Sequence, residues 1–380
     1  MALEITGSAL LGASRRRLFE HFPWPVAALA VAISALGVWN LASASRSAHA
    51  PVWLPQLAWM GVGVFLALAV AMVDYRAFLR MAYVFYALVI LLLLVVLVKG
   101  RVVMGARRWL TFGPVNFQPA ELAKIAVMLA VARWFHRDAE RESERPRRGY
   151  GLLGVAVPSL LTLLPAALIL KQPDLGTALI VVAIGFTIIL FAGVRWRTVA
   201  LAAGAAALAA VLALPHLKPY QRRRLESFLN PEGDVLGAGY HATQSMIAVG
   251  SGQGFGKGWG QGTQTLLSFL PEQHTDFIFS VWAEERGFLG CFFLLGLYYA
   301  LVGTVLGIAG TARDRFGFLL GAGVAGMLFW HTFVNMGMVV GLLPVVGVTL
   351  PLLSYGGSSL MATFLALGLA ANVSMRRFVN

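Results

Sequence analysis

The sequence predicts an all-α polytopic membrane protein of about ten transmembrane helices with one long extracytoplasmic loop. Three observations carry that expectation. Of the 380 residues, 58% are hydrophobic and only 12% charged, and the mean hydropathy is +0.75. Soluble domains are roughly half apolar and about a quarter charged, so this chain has too few charges to cover a globule in water. The apolar residues also fall in runs of about 20, the length that crosses a hydrocarbon core. Finally, the arginines alternate between the flanks of successive runs, as the positive-inside rule requires.

Taken in order, the candidate spans are 24–43, 53–73, 81–98, 119–135, 152–170, 175–194, 198–215, 287–309, 317–340 and 345–371. Trp24, Trp53 and Trp196 stand near span ends, where amphipathic rings sit at an interface. With the N-terminus in the cytoplasm, the inside segments carry 16 arginines, from Arg15, Arg16 and Arg17 to Arg376 and Arg377. The short outside segments carry 6 basic residues: Arg46, Lys99, Arg101, Arg107, Arg108 and Lys171. The expected arrangement is multi-pass with both termini cytoplasmic. Arg15 to Arg17 precede a full-length run, which reads as a retained first span and not a cleaved signal peptide. The net charge of +13 is then an orienting charge and needs no nucleic-acid partner. Cys291 stands alone in an apolar run, and the histidine and cysteine spacing offers no metal site.

The chain, 1–380, reads as a single membrane domain. Within it residues 216–286 contain no run long enough to span and fall outside, as a long loop of the functional kind. The 136–149 stretch is a short charged connector on the inside. No internal repeat is visible, which gives an inverted-repeat transporter little support.

Ionisable groups near membrane depth are expensive and need individual explanation. Glu121 and Lys124, three apart near the outer start of the fourth span, share a helix face. They either pair to hold the bundle or line a cavity for a polar head group. Asp174, in Lys171-Gln-Pro-Asp174, either caps the next helix or faces that cavity. The segment 271–279, with Glu272, His274 and Asp276, sets a carboxylate and an imidazole two residues apart just before an apolar helix. Phe277 and Phe279 would desolvate Asp276 and raise its pKa toward that of a general base, although Asp276 or Thr275 would also serve as an N-cap. The glycine-rich stretch from Gly250 to Gly258, with Lys257, fails the Walker pattern because Ser251 stands where a glycine is required. A loop of backbone donors for a diphosphate remains open. His331 and Asn335 share a face of the ninth span and read as interhelical hydrogen-bonding groups.

These motifs occur in order across most of the membrane region. They are Phe117 to Lys124, Gln172 to Thr177, Phe228 to Glu232, Leu236 to His241, Gly256 to Gln264, Leu270 to Phe279, Gly341 to Gly347 and Leu353 to Ser359. Together they resemble the SEDS family (shape, elongation, division, sporulation), and the wording of 258–263 and 271–276 leans toward its rod-elongation branch over its division branch. Thr349 departs from the pattern, which usually shows proline there.

The resemblance implies a peptidoglycan glycosyltransferase that polymerises lipid II into β-1,4-linked glycan strands at the outer face, with inversion. It implies partnership with a class B penicillin-binding protein and other elongation-complex membrane proteins. The family's essential aspartate maps onto Asp276, making it the catalytic candidate. Candidate substrate-binding groups are Glu121, Lys124, Arg107, Arg108, Asp174, Lys257 and His274, with the arginines at 222–224 as further cations for a departing pyrophosphate. The resemblance suggests a divalent cation, which no spacing reveals, and no other cofactor. A lipid II flippase and a non-catalytic assembly scaffold are the competing classes.

Overall fold

The structure, a computed structural model, describes residues 20–46, 51–103, 106–113, 115–141, 149–216, 219–229, 238–267, 269–270 and 272–377. Arg15 to Arg17, most of the charged connector (142–148), residues 230–237 of the long loop, and Pro271 lie outside the described residues.

Among the described residues ten long helices run back and forth through the bundle. They are α1 (Trp24–Ala44), α2 (Trp53–Met72), α3 (Tyr75–Lys99), α4 (Pro119–Arg141), α5 (Leu152–Lys171), α6 (Leu175–Phe191), α7 (Trp196–Ala213), α11 (Ile278–Gly310), α12 (Arg315–Val339) and α13 (Gly357–Met375). Seven of them, α1, α2, α3, α5, α11, α12 and α13, are long and apolar enough to cross a membrane, and α6 and α7 contain shorter apolar helices. α4 carries Glu121, Lys124 and Arg133, which reduce its apolar character, but all three are buried among its neighbours. Outward-facing Phe65, Leu94, Leu160, Phe292 and Phe333 give the bundle the apolar surface of a protein solvated by lipid. The chain is a multi-pass membrane protein.

Aspartates set several helix starts. Asp74 accepts from Arg76 N at 2.9 Å, Asp174 from Thr177 N at 3.2 Å and Asp314 from Gly317 N at 2.8 Å. Each satisfies an amide that the first helical turn leaves without a partner. At the opposite helix termini, Asn372 Nδ2 donates to Val70 O at 2.7 Å and ties α13 to the end of α2.

The α1 C-terminus, the α3–α4 connection, the α5–α6 turn, the α11 N-terminus and the α12–α13 connection all lie at one end of the bundle. Three elements there depart from the expected pattern. Residues 101–117 form a small antiparallel sheet, β1 (Arg101–Val103), β2 (Ala106–Phe112) and β3 (Val115–Phe117), with Leu110 opposite Phe117. Among its described residues the loop 216–286 contains the helices α8 (Pro219–Leu229), α9 (Ala238–Ser251) and a short α10 (Thr263–Leu266). The last span begins at Gly357, because 341–356 is an irregular segment packed inside the bundle end. Such a backbone is tolerated at depth only where protein covers it.

The eighth expected span, 287–309, begins at a break. The helix already runs from Ile278, but Gly287 within it has φ 63° and ψ −164°, a conformation essentially restricted to glycine. The glycine-rich stretch is docked on this break. Phe288 N donates to Gln253 O at 2.7 Å and Leu289 N to Gly254 O at 3.1 Å, while Lys257 N and Gly258 N donate to Glu284 O and Glu285 O, each at 3.0 Å. Its glycines allow that approach: a Cβ at Gly256 would stand 2.2 Å from Glu285 O. The stretch therefore commits backbone donors to the helix break.

Candidate active site

Asp276 lies on a tight turn immediately before α11. Thr275 N and Phe277 N both donate to Glu272 O, at 3.1 and 3.3 Å, and Thr275 Oγ1 donates to Glu272 Oε2 at 3.0 Å. Ties to other segments hold the turn. Tyr355 N donates to His274 O at 2.9 Å, Asn335 Nδ2 to Asp276 O at 2.8 Å and Asn40 Nδ2 to Ile278 O at 3.0 Å. Gln273 Nε2 also donates to Ala44 O at 2.9 Å. The turn is thus stitched to α1, α12 and the 341–356 segment by polar groups that tolerate burial because they are paired.

Asp276 keeps a little exposure while its carboxylate is largely enclosed and, among the described residues, engages in no hydrogen bond. Its pKa is pushed up from 3.8 to about 6, chiefly by burial. Glu272 and Asp174 add to the rise, and Arg224 and Arg108 oppose it. Four segments therefore bring charge to bear on one carboxylate: its own turn, the start of α6, α8 and β2.

Asp174 is buried and takes the capping role, and it also pairs with neighbouring protein groups. One oxygen caps α6, and the other accepts from Gln118 Nε2 at 3.1 Å and lies 4.0 Å from Arg108 Nε. Arg108 also donates to the carbonyls of Gln172, at 3.3 Å, and Pro173. These contacts leave its side chain 29% exposed, so part of it still faces solvent. Arg224 Nη1 donates to Val346 O at 3.2 Å and joins α8 to the irregular segment.

The other candidates divide. Lys124, 0% exposed, donates to Glu121 Oε2 at 2.7 Å and to His331 Nε2 at 3.0 Å. A lysine donor on Nε2 leaves the histidine proton on Nδ1, which donates to Thr349 O at 3.1 Å. Thr349 Oγ1 in turn meets Ser359 Oγ at 2.9 Å. Glu121 and Lys124 therefore begin a chain that runs from α4 through α12 and the irregular segment to α13. Lys257 is engaged elsewhere, donating to the buried Glu284 at 2.7 Å and to Thr263 Oγ1 at 2.8 Å. Arg107 is exposed, with its guanidinium 3.4 Å from Val98 O. His274 sets its ring edge-on to Tyr355, 6.1 Å between centroids.

The sequence profile of the FtsW/RodA/SpoVE family, described as cell cycle protein, matches residues 20–378. The chain belongs to this family. Its FtsW/RodA/SpoVE relatives include the peptidoglycan glycosyltransferase MrdB of Escherichia coli K12, 42% identical over 319 residues and 84% of each chain. Among solved structures, Thermus thermophilus rod shape determining protein RodA is 35% identical with a TM-score of 0.70, covering 94% of this chain and 98% of that one. A chain from a structure describing coordination of polymerization and crosslinking by a peptidoglycan synthase complex is 38% identical with a TM-score of 0.80, at the same coverage. The FtsW/RodA/SpoVE assignment agrees with the SEDS resemblance carried by the motifs.

Two participants near Asp276 carry no clear signal in the sequence. Glu272 looks like one more loop carboxylate, and its φ of 52° marks a turn that only the fold reveals. Gly347, with φ 75°, brings backbone against the site: a Cβ there would lie 3.2 Å from Asp276 Oδ2.

Proposed function

We infer that this chain is a peptidoglycan glycosyltransferase of the rod-elongation type, polymerising lipid II into β-1,4-linked glycan. The observation that carries the inference is the placement of Asp276 on the stitched turn before α11, its carboxylate without a hydrogen-bond partner among the described residues and Arg108 and Arg224 in its field, in a chain 42% identical to a peptidoglycan glycosyltransferase. A general base works best with a pKa near the operating pH, and burial pushes this carboxylate up toward it, to about 6.

The chemistry follows from those groups. The acceptor is a sugar hydroxyl, a poor nucleophile until its proton is removed. Asp276 takes that proton while the oxygen attacks the anomeric carbon of the donor. The carbon–oxygen bond to the lipid pyrophosphate breaks on the opposite face, so an α-linked donor gives a β product. Pyrophosphate leaves with its own negative charge and needs no general acid. Arg108 and Arg224, whose charges act on Asp276, would stabilise that charge as it develops. No three His, Cys, Asp or Glu side chains converge as metal ligands among the described residues. No step above uses a divalent cation.

The arginine distribution supports the orientation with both termini cytoplasmic in the inner membrane and the Asp276 end of the bundle outside, where lipid-linked precursor is consumed. The similarity to a chain of a peptidoglycan synthase complex supports a class B penicillin-binding protein as the crosslinking partner within a larger elongation assembly.

The deciding experiment is polymerisation of purified lipid II by the reconstituted protein and by Asp276→Asn. The near-isosteric variant should fold, and its rate should fall by roughly 100- to 10,000-fold. A flippase or scaffold predicts no selective loss of polymerisation. If Asp276→Asn runs near the parent rate, the base assignment fails.

A further inference from the structure

Asn335 is fully buried on α12, one helical turn after His331. Its amide nitrogen donates to carbonyls of two separate segments, Asp276 O at 2.8 Å and Val348 O at 2.6 Å. The amide orientation follows from those partners, since the reverse would set its oxygen against two carbonyl oxygens. Asp276 O needs such a donor: the nearby helical amide, Ser280 N, bonds Phe277 O at 3.0 Å. His331 secures the next carbonyl, Thr349 O, at 3.1 Å. Two side chains on one face of α12 thus hold consecutive carbonyls of the irregular segment, and one of the two also holds the segment carrying the proposed base.

The geometry matters because the irregular segment forms one wall of the Asp276 site. Gly347 is adjacent to Val348, and a Cβ there would stand 3.2 Å from Asp276 Oδ2. A shift of Val348 relative to the Asp276 backbone changes the gap between the carboxylate and that wall.

We propose that Asn335 is a positioning residue for Asp276, bridging the base-bearing turn to the wall of the site and so setting the depth of the carboxylate. The inference rests on the glycosyltransferase reading and deepens it. Among the described residues the charged groups acting on Asp276 are Glu272 on its own turn, Asp174 at the start of α6, Arg224 on α8 and Arg108 on β2. Substitution at 335 changes none of these charges. A shift of the pH profile in an Asn335 variant therefore reports the placement and hydration of the carboxylate. Freed from the bridge, the carboxylate meets more water, its proton affinity falls, and the acid limb moves to lower pH.

The test uses the full-length reconstituted protein and purified lipid II, with rates expressed per folded molecule across pH 5 to 8. Asn335→Ala is compared with Asn335→Ser, whose hydroxyl restores one donor. In Asn335→Ala, kcat should fall by about 10- to 100-fold with KM within about 3-fold, since misplacing a reacting group by about 1 Å costs rate on that scale. Its acid limb should move down, and Asn335→Ser should recover part of both effects. The positioning role is overturned if kcat and the acid limb match the parent, or if rate falls equally in both variants with the limb unmoved. Failure of both variants to fold also overturns it, because the bridge is then a requirement of the fold. Parent and Asp276→Asn run alongside: an inactive parent or an active Asp276→Asn defeats the functional reading instead.

Discussion

Asp276 is sensitive to pH in a way that an exposed aspartate is not. Burial outweighs the nearby arginines and leaves its pKa at about 6. A general base acts as the carboxylate, so kcat/KM should fall as pH drops through about 6 and level off above it. An unperturbed aspartate would hold its activity to about pH 4. A profile measured with lipid II that stays flat to pH 5 removes Asp276 from that role. Glu121 calls for a different measurement. By sequence, the Glu121–Lys124 pair is equally suited to bracing the bundle or lining a head-group cavity. In the fold Lys124 is 0% exposed, with Glu121 and His331 as its hydrogen-bond partners. Glu121→Gln removes the countercharge of a buried ammonium, a loss of about 3–5 kcal/mol. Thermal unfolding in detergent should show a large drop in Tm, with Lys124→Met added to Glu121→Gln recovering part of it. A variant that melts with the parent but polymerises far more slowly would return the pair to substrate contact.

Among the elements, α11 shows how far a local rule carries. Its composition promises a span from 287, and the apolar run does start there. What composition does not show is that Ile278 to Arg286 form helix ahead of a break, closed by the docked run of glycines. Gly287→Ala places a Cβ 2.3 Å from Gly256 N and forces alanine into a left-handed φ. It should destabilise the protein by at least about 1–3 kcal/mol. The check is the unfolding midpoint of the purified variant; an unchanged midpoint would mean that the docked loop gives way freely. The β1–β3 sheet escapes a sequence reading for a related reason. Its strands are three to seven residues long, and their arginines resemble interfacial anchors. The sheet positions Arg108 beside the α5–α6 turn, a contact between residues 64 and 65 positions apart.

On the scale of the whole molecule, the arginine bias and the alternation of ten helices make one prediction together. The end bearing Asp276, α8 and α9 should face outside. Phe255 is 84% exposed on the glycine-rich stretch, so a cysteine placed there is accessible wherever that end lies. Phe255→Cys in a Cys291→Ala background should react with an impermeant maleimide in intact spheroplasts. Reaction only after lysis would invert the topology and withdraw the outer-face chemistry with it. In the same orientation the apolar flanks of the bundle meet lipid.

Hydrophobicity, run length and arginine placement are local or additive along a chain, so the sequence by itself determined a polytopic bundle, its approximate spans and its family. The clustering of motifs also singled out Asp276. What only the tertiary structure decided are relations between distant positions. Asn335 reaches Asp276 across 59 residues, Lys124 reaches His331 across 207, and Lys257 turns away to Glu284. Neither partner's chemistry specifies such a pairing in advance. An asparagine or lysine at membrane depth announces that it must be satisfied, while the packing of whole helices determines by what.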